Sequence, residues 1–140
     1  MTESPSNAKR WFNPELTTRL VERFPLALAD ALEAEPESPF GAYGIECGAG
    51  WEPVLTELLV QLESEIAAQP EAARVELRVS QIKQKFGMLR VYLRSQRTEA
   101  MEQAIEAAVG VAARTCEVCS APARLDGWAC LCERHRARAR

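Results

Sequence analysis

Apolar residues recur at helical spacing most clearly between Trp51 and about Ala68. A polar, mainly acidic series occupies the other positions, and Pro53 falls in the first turn, where its missing N–H is tolerated. This pattern predicts a helix with its apolar face in the core and its acidic back in solvent. The apolar positions are Trp51, Val54, Leu55, Leu58, Leu59, Leu62 and Ile66, and the polar ones are Glu57, Gln61, Glu63 and Glu65.

Two further helices are predicted, one on either side of this segment. Asn13 can cap the first: Pro14 follows where its missing N–H costs nothing, and Glu15 lies at the positive end of the helix dipole. Thr98 can cap the last, which we expect over Glu99 to Arg114. Their inward positions are Leu16, Leu20, Val21 and Phe24 in the first, and Met101, Ile105, Ala108, Val109 and Ala112 in the last.

Alternation at a period of two predicts two strands after the long helix. Ile82 is out of phase with the first series, so we expect a bulge or an early strand end near Ser80 and Gln81. Lys83 to Gly87 should connect the strands. The pattern predicts an α+β fold with helices packed on one face of a short antiparallel hairpin. The alternating apolar residues are Val75, Leu77 and Val79, then Leu89, Val91 and Leu93.

A glycine-rich segment, Gly41–Gly50, precedes the long helix. Such a loop can cradle a phosphate before a helix N-terminus. Neither the dinucleotide fingerprint nor the Walker lysine is present, however, and no strong strand comes before it. The sequence therefore favours an ordered turn that docks Trp51 into the core. We expect Cys47 in this turn to be buried and structural, because the adjacent Glu46 disfavours a thiolate.

The most specific chemical signal lies near the C-terminus. A C-x₂-C pair, twelve further residues and a C-x₂-H pair have the spacing of a zinc site in which two turns each present two ligands. We assign Cys116, Cys119, Cys132 and His135 as the ligands, which leaves Cys130 over. Free thiols are the alternative, but matched pairs are more specific than a lone C-x₂-C. Four protein ligands leave no open position, so the Zn²⁺ should be structural.

Length and composition bound the organisation of the chain. Its 140 residues fit one domain with a metal-stapled appendage. We expect a flexible tail over 1–12, a core over 13–115, a zinc-ribbon or zinc-knuckle module over 116–135 with Trp128 covering the metal, and a basic tail over 136–140. Five cysteines that are not spread as a disulfide framework indicate a reducing compartment. With no signal peptide or membrane span in the sequence, we predict a cytoplasmic protein without a membrane role.

Charge is divided between the two halves of the chain. Residues 1–70 carry 12 acids and 4 bases, whereas residues 71–140 carry 8 acids and 13 bases. The halves can attract each other, or a basic face can meet an acidic partner. The hairpin side turned away from the helices interleaves basic residues with an aromatic, as nucleic-acid binders do, although such residues can also serve only for solubility. The candidate partner-binding residues are Arg78, Lys83, Lys85, Arg90, Tyr92 and Arg94.

Three separated motifs resemble those of a family of small proteins from bacteria and their phages. They are Ile45–Trp51, Gln81–Tyr92 and Thr115–His135. In that family they correspond to an ECGDGW-like turn, a KEKFG-x-LRFY-like hairpin and a terminal zinc knuckle. This chain differs in having Ala49 where an acid is usual, Ser120 where glycine is usual and Cys130 in place of a common threonine. The resemblance implies a shape and a zinc site but no settled activity.

These residues favour recognition over turnover. The only histidine, His135, is assigned to zinc, which removes the usual base for a serine or cysteine nucleophile, so we predict no enzyme activity. We predict a zinc-stabilised binding protein that occludes a protein partner, such as a toxin, in the manner of immunity proteins. The alternative is nucleic-acid binding through the basic hairpin face and the arginines of residues 134–140.

Overall fold

A computed structural model of the protein describes residues 13–33 and 35–138, so the predicted N-terminal tail lies outside the described residues. The fold is α+β, as predicted, with a small antiparallel hairpin among the helices. The helices are α1 (Pro14–Arg23), α2 (Pro39–Tyr43), α3 (Glu52–Ala67), α4 (Glu99–Ala112) and α5 (Glu133–Arg138). The strands are β1 (Val79–Lys85), β2 (Met88–Leu93), β3 (Arg124–Leu125) and β4 (Cys130–Leu131), and 3₁₀ segments cover Ala49–Trp51 and Glu71–Leu77.

Both helix caps expected from the sequence are present. The Asn13 side chain accepts a hydrogen bond from the Leu16 N–H (3.1 Å), and the Thr98 hydroxyl accepts one from the Met101 N–H (3.1 Å). Ser38 caps α2 in the same way. Each cap satisfies an N–H that the first turn of a helix leaves without a backbone partner. Helix α4 accordingly begins at the predicted residue, Glu99, directly after its Thr98 cap.

The core lies between the long helices and the inner side of the hairpin. Every apolar position predicted for α3 is buried, and Trp51 is completely enclosed. Helix α4 packs beside α3, and its small side chains Ala104 and Ala108 permit a close approach. No helix in the described ranges is both long and apolar enough to cross a membrane. The hairpin contributes Ile82, Leu89, Val91 and Leu93 to the same apolar cluster.

The acidic back of α3 is only partly solvated, contrary to the prediction. The Glu63 carboxylate accepts hydrogen bonds from the Leu26 and Ala27 N–H groups, at 2.9 Å each. Glu65 accepts one from the hydroxyl that caps α4, at 2.9 Å. The turns after α1 leave backbone N–H groups that need acceptors, and Glu63 supplies two of them. Helical periodicity shows only that these carboxylates face away from the core and cannot show what covers them.

The first strand begins later along the chain than the alternation predicted. Residues Glu71–Leu77 form a 3₁₀ segment, so only Val79 of the predicted apolar series lies in β1. Three alternating residues are too few to impose a strand. Here the chain closes a helical turn instead, because the Arg78 N–H donates to the Val75 carbonyl (3.3 Å).

The hairpin itself is longer, and its turn shorter, than predicted. The expected bulge is a register shift between Val79 and Gln81, after which Ile82 lies on the core side. Lys83–Lys85 continue β1, so the connection is only the two residues Phe86–Gly87, with φ angles of 55° and 83°. Two residues in the left-handed region match the twist of a tight hairpin, although phenylalanine rarely adopts this conformation.

Two other segments pack against the hairpin. At one edge, Glu46 forms a parallel bridge with Lys83, through hydrogen bonds to the Ile82 carbonyl and from the Gln84 N–H (3.0 Å each). At the turn, the C-terminal module approaches so closely that a Cβ on Gly87 would collide with its backbone. The glycine-rich turn and the C-terminal module are thus both in contact with the hairpin.

Candidate metal centre and hairpin surface

The four residues assigned as ligands converge in the C-terminal module. Their ligand atoms, three sulfurs and one imidazole nitrogen, all lie within 4.8 Å of one another. The Sγ atoms of Cys119 and Cys132 are 3.7 Å apart. His135 Nδ1 lies 3.6 Å from Cys116 Sγ and 3.2 Å from Cys132 Sγ. All five cysteines are free thiols, so no disulfide competes with a role as metal ligands.

The spacing of these atoms fits a tetrahedral metal ion. Metal–sulfur bonds of about 2.3 Å and metal–nitrogen bonds of about 2.0–2.1 Å place two sulfurs about 3.8 Å apart and sulfur about 3.6 Å from nitrogen. Two of the observed separations, 3.7 and 3.6 Å, agree with these values, and the third, 3.2 Å, is shorter. Three thiols and an imidazole suit a soft or borderline metal and offer none of the oxygens that magnesium or calcium requires.

The two thiols of the first ligand pair differ: the pKa of Cys116 is lowered, whereas that of Cys119 is raised, because against the Ala121 backbone N–H stand desolvation and the Cys116 and Cys132 side chains. The Ser120 N–H donates to the Cys116 carbonyl (2.9 Å) and closes the turn. Burial by itself raises the pKa of the Cys116 thiol. The backbone N–H groups of Cys132, Val118 and Cys119 outweigh this effect and lower that pKa to about 6. Since the thiolate is the form that binds a metal, the turn prepares Cys116 as a ligand.

The second pair is positioned by α5. Cys132 immediately precedes this helix and His135 lies in its first turn, so the two side chains are on the same side. Arg136 is buried, and its guanidinium donates to the Asp126 carboxylate and to the carbonyls of Arg124 (2.6 Å) and Leu131 (3.0 Å). We predicted that a basic tail begins at residue 136, but Arg136 is buried in the module.

The two remaining cysteines lie outside the cluster. Cys130 Sγ donates to the Ala112 carbonyl (3.3 Å), and burial raises the pKa of this thiol. Cys47 is completely buried, and desolvation raises its pKa well above the ordinary value, with a smaller effect from the Glu117 charge. The expectation of a buried Cys47 is confirmed, although the acid that opposes its ionisation is Glu117 and not Glu46.

The glycine-rich turn is fastened to the first ligand pair by hydrogen bonds. The Gly50 N–H donates to the Glu117 carbonyl (2.8 Å), and the Gly48 N–H donates to the Glu117 carboxylate (3.0 Å). The Ser120 hydroxyl donates to the Gly50 carbonyl (2.6 Å). A Cβ on either glycine would collide with backbone atoms of the ligand turn. These glycines are needed for the close approach of two backbones.

Trp51 completes this contact. Its ring is fully buried, and its indole N–H donates to the Thr115 carbonyl, immediately before the first ligand (2.8 Å). The prediction of an ordered turn that docks Trp51 into the core is confirmed. The N–H groups of Gly48 and Gly50, which could have met a phosphate, are instead used to hold Glu117.

The six candidate partner-binding residues do not form one surface. Arg78 and Arg94 bind the carboxylate of Asp30, with N–O distances of 3.1 and 2.9 Å. Asp30 comes from the turns after α1, and its approach to the hairpin could not be read from the local sequence. The strand register places the other four, Lys83, Lys85, Arg90 and Tyr92, on the outer side of the hairpin.

A charged row crosses this outer side. Arg90 is opposite Lys83 in the strand register, and Glu46 is bridged to Lys83 on the other edge. Glu46 is 8% exposed, and desolvation raises its pKa against the opposing effects of Gln81 and Lys83. The net charge of this row is positive, since it contains two cations and one largely buried acid.

Sequence reasoning missed an exposed aromatic pair at the tip of the hairpin. The Phe86 and Trp128 rings meet edge to face, with centroids 5.7 Å apart, and the residues are 53% and 77% exposed. The prediction that Trp128 covers the metal is wrong, since it contacts Phe86 and is mostly in solvent. The Asp126 carboxylate accepts hydrogen bonds from the Trp128 and Ala129 N–H groups (2.9 Å each) and so fixes the turn that carries Trp128. The sequence signal that could have indicated an exposed Phe86 is its position next to Gly87 in a predicted turn.

No protein-family model, curated protein or solved structure matches this chain. The function of the site is therefore argued from its own geometry and chemistry.

Proposed function

We propose that this chain is a non-catalytic binding protein whose C-terminal module is stabilised by one structural Zn²⁺. The ligands would be Cys116, Cys119, Cys132 and His135, in a zinc-knuckle or zinc-ribbon type of module. The observation that carries this proposal is the convergence of three sulfurs and one nitrogen within 4.8 Å of one another, with one sulfur–sulfur and one sulfur–nitrogen separation of tetrahedral length. Zinc is the ion that most commonly takes this donor set in structural sites.

A structural role for zinc follows from the number of ligands. Four protein ligands fill a tetrahedral shell and leave no position for a water or a substrate. The only histidine of the chain is then a ligand and is not available as a general base. We therefore favour recognition over turnover. Free thiols persist in reducing compartments, which supports our proposal of a cytoplasmic location.

The hairpin tip and its outer side are the best-supported recognition surface. Large apolar side chains that stay in solvent often mark binding sites, and Phe86 and Trp128 form such a pair. The acidic helices are a weaker candidate, because carboxylates of α3 are engaged within the protein: Glu63 binds backbone N–H groups and Glu52 pairs with Arg19. We propose that a partner docks on the hairpin side of the molecule.

Two classes of partner remain as proposals. An acidic protein such as a toxin would suit an immunity-type role, by charge complementarity with Lys83, Lys85 and Arg90. Nucleic acid is the second class, and it is favoured by the combination of exposed aromatics with these cations. Membership of the family of small bacterial and phage proteins is likewise a proposal, carried by the three motifs alone.

Metal analysis of matched variants tests the zinc proposal. The chain, purified without chelator, should contain one zinc per molecule by elemental analysis, and Cys132→Ala should lose it. Cys130→Ala is the matched control. Cys130 is a buried thiol of the same module, but its Sγ donates to the Ala112 carbonyl and lies outside the cluster. A chain without zinc would contradict the proposal. So would equal zinc loss in both variants at preserved fold.

A further inference from the structure

We propose that the Phe86–Trp128 pair and the outer cations of the hairpin form a binding site for single-stranded nucleic acid. This inference rests on the proposed recognition function and deepens it by naming the ligand class. An unpaired base would stack on the aromatic pair, while phosphates of the same strand would lie along Lys85, Lys83 and Arg90. The target is a flexible single strand, with bases that are free to stack.

The aromatic pair is largely exposed to solvent. Phe86 and Trp128 are 53% and 77% exposed, whereas Trp51 of the same chain is completely buried. Their mutual contact, with centroids 5.7 Å apart, leaves most of the indole surface in solvent. The fold therefore obtains little burial from Trp128. A base can cover this free aromatic surface, and such stacking is tolerant of sequence because every base has a π-face.

The aromatic pair, which would serve as the stacking platform, is held by two turns that contact each other. Phe86 lies in a two-residue turn and Trp128 in a turn fixed by the Asp126 carboxylate. The two turns touch: a Cβ on Gly87 would come within 2.8 Å of the Ala129 carbonyl carbon. A platform assembled before the ligand arrives loses less conformational entropy on binding than two mobile side chains would.

The charge of the hairpin surface also favours a phosphate backbone. Lys85 and Arg90 form no salt bridge with any residue in the described ranges. The carboxylate nearest in sequence to Trp128, Asp126, is already occupied. The N–H groups of Trp128 and Ala129, followed by the Arg136 guanidinium, lower its pKa to about 2. Asp126 stays ionised, but its charge is balanced by the Arg136 guanidinium, whereas Lys85 and Arg90 keep their charge available for phosphate.

The cations are aligned along the outer side of the hairpin. Lys83 and Lys85 lie two residues apart on the same side of β1, a separation of about 7 Å, and Arg90 is opposite Lys83. The cations thus extend from the aromatic tip along the hairpin, and Tyr92 lies further along the same side. A single strand can follow this line with one base at the tip. A duplex hides its bases in the stack and would lose the aromatic contact.

The experiment uses the zinc-loaded full-length chain with fluorescein-labelled dT and U dodecamers at low salt, read by anisotropy. Trp128→Ala should weaken binding roughly 5- to 150-fold, the range for losing one stacked base, while Trp128→Phe should retain most of the affinity. Lys85→Glu should weaken binding and flatten its salt dependence. Val60→Ala, which removes an apolar side chain that is 51% exposed on α3, is the matched control and should bind like the wild type.

Three outcomes would overturn the inference. They are no binding at low salt, equal binding by wild type and Trp128→Ala, and duplex bound better than single strands. An acidic protein that binds the hairpin surface and is lost in Trp128→Ala, without any nucleic-acid binding, would assign the platform to a protein instead. Zinc content and thermal unfolding are measured on each variant. A chain that holds one zinc but binds no oligonucleotide contradicts this inference alone and leaves the zinc proposal intact.

Discussion

Ser120 has a backbone conformation that usually favours glycine. Its φ of 73° lies in the left-handed region, while its hydroxyl donates to the Gly50 carbonyl at 2.6 Å. A left-handed conformation costs a residue with a Cβ about 1–2 kcal/mol, and a hydrogen bond contributes about 1 kcal/mol in return. The side chain that ties the ligand turn to the glycine-rich turn therefore offsets its own strain.

Substitutions at Ser120 should separate these two effects. Ser120→Ala keeps the strain and loses the hydrogen bond, so we expect the free energy of unfolding to fall by about 1 kcal/mol. Ser120→Gly loses the bond but also the strain, so its stability should stay within about 0.5 kcal/mol of the wild type. Urea unfolding of the zinc-loaded variants measures both values. Ser120→Gly proving the less stable of the two would contradict this explanation.

Asp30 provides a second test at the residue scale. It is 8% exposed and holds Arg78 and Arg94, so Asp30→Ala leaves two guanidinium groups without their acceptor. Because the arginines are partly solvated, we expect a loss of about 1–3 kcal/mol, less than for a fully buried pair. Glu52→Ala is the control, since it breaks an ion pair with Arg19 that is half exposed, and it should cost less than about 1 kcal/mol. Equal losses in thermal or urea unfolding would count against a structural role for Asp30.

The sequence could identify those residues whose roles depend on contacts with near neighbours along the chain. The caps Asn13 and Thr98 act within one helical turn, and the metal ligands are two pairs of short spacing, so each is visible in a few consecutive residues. The partners of Glu63 and Asp30 are more than 30 residues away along the chain. Their roles depend on tertiary contacts that periodicity does not encode.

At the scale of elements, the glycine-rich turn and the ligand turn act as a unit. Gly50→Ala would force a Cβ into the backbone of Cys116 and Glu117, so we expect a loss of about 1–3 kcal/mol and weaker zinc retention against a chelator. Gly110→Ala is the control: nothing lies within 4 Å of a Cβ there, and alanine should stabilise α4 by about 0.5–1 kcal/mol. Chelator competition combined with urea unfolding measures both effects. Undiminished zinc retention in Gly50→Ala would show that the turns are independent.

The elements themselves were predictable to different degrees. Helices α3 and α4 follow from long apolar periodicity that tertiary structure only reinforces. The hairpin was placed correctly only from Val79 onwards, because a three-residue alternation could not distinguish a strand from the 3₁₀ segment Glu71–Leu77. The bridge of Glu46 to β1 lacked any sequence signal, since parallel pairing joins segments that are distant along the chain.

At the scale of the whole molecule, hydrogen bonds join the C-terminal module to the glycine-rich turn and to Trp51. Removing zinc should expose backbone amides of residues 46–51 and 116–135 to hydrogen exchange, while α3 and α4 keep their protection, because the apolar cluster that buries them includes none of the four proposed ligands. Hydrogen–deuterium exchange with and without chelator measures this difference. Unchanged protection throughout would mean that the ion does not organise the module.

The α+β class and the cluster of three cysteines and one histidine were predictable at this scale, but the proposed recognition surface was not. Alternation correctly placed Lys83, Lys85, Arg90 and Tyr92 on the outer side of the hairpin. The surface also depends on Trp128, which the sequence suggested would cover the metal and which instead meets Phe86 across two turns. Contacts between turns depend on how whole elements pack, and short-range patterns carry little information about them.

We propose that a closed tetrahedral zinc site organises this chain for binding. Zinc K-edge X-ray absorption of the purified full-length protein tests it most directly. We predict three sulfur ligands at about 2.3 Å and one nitrogen ligand at about 2.0–2.1 Å, with no water in the shell. An oxygen ligand in place of His135, or a protein that carries no zinc when it is prepared without chelators, would contradict the account.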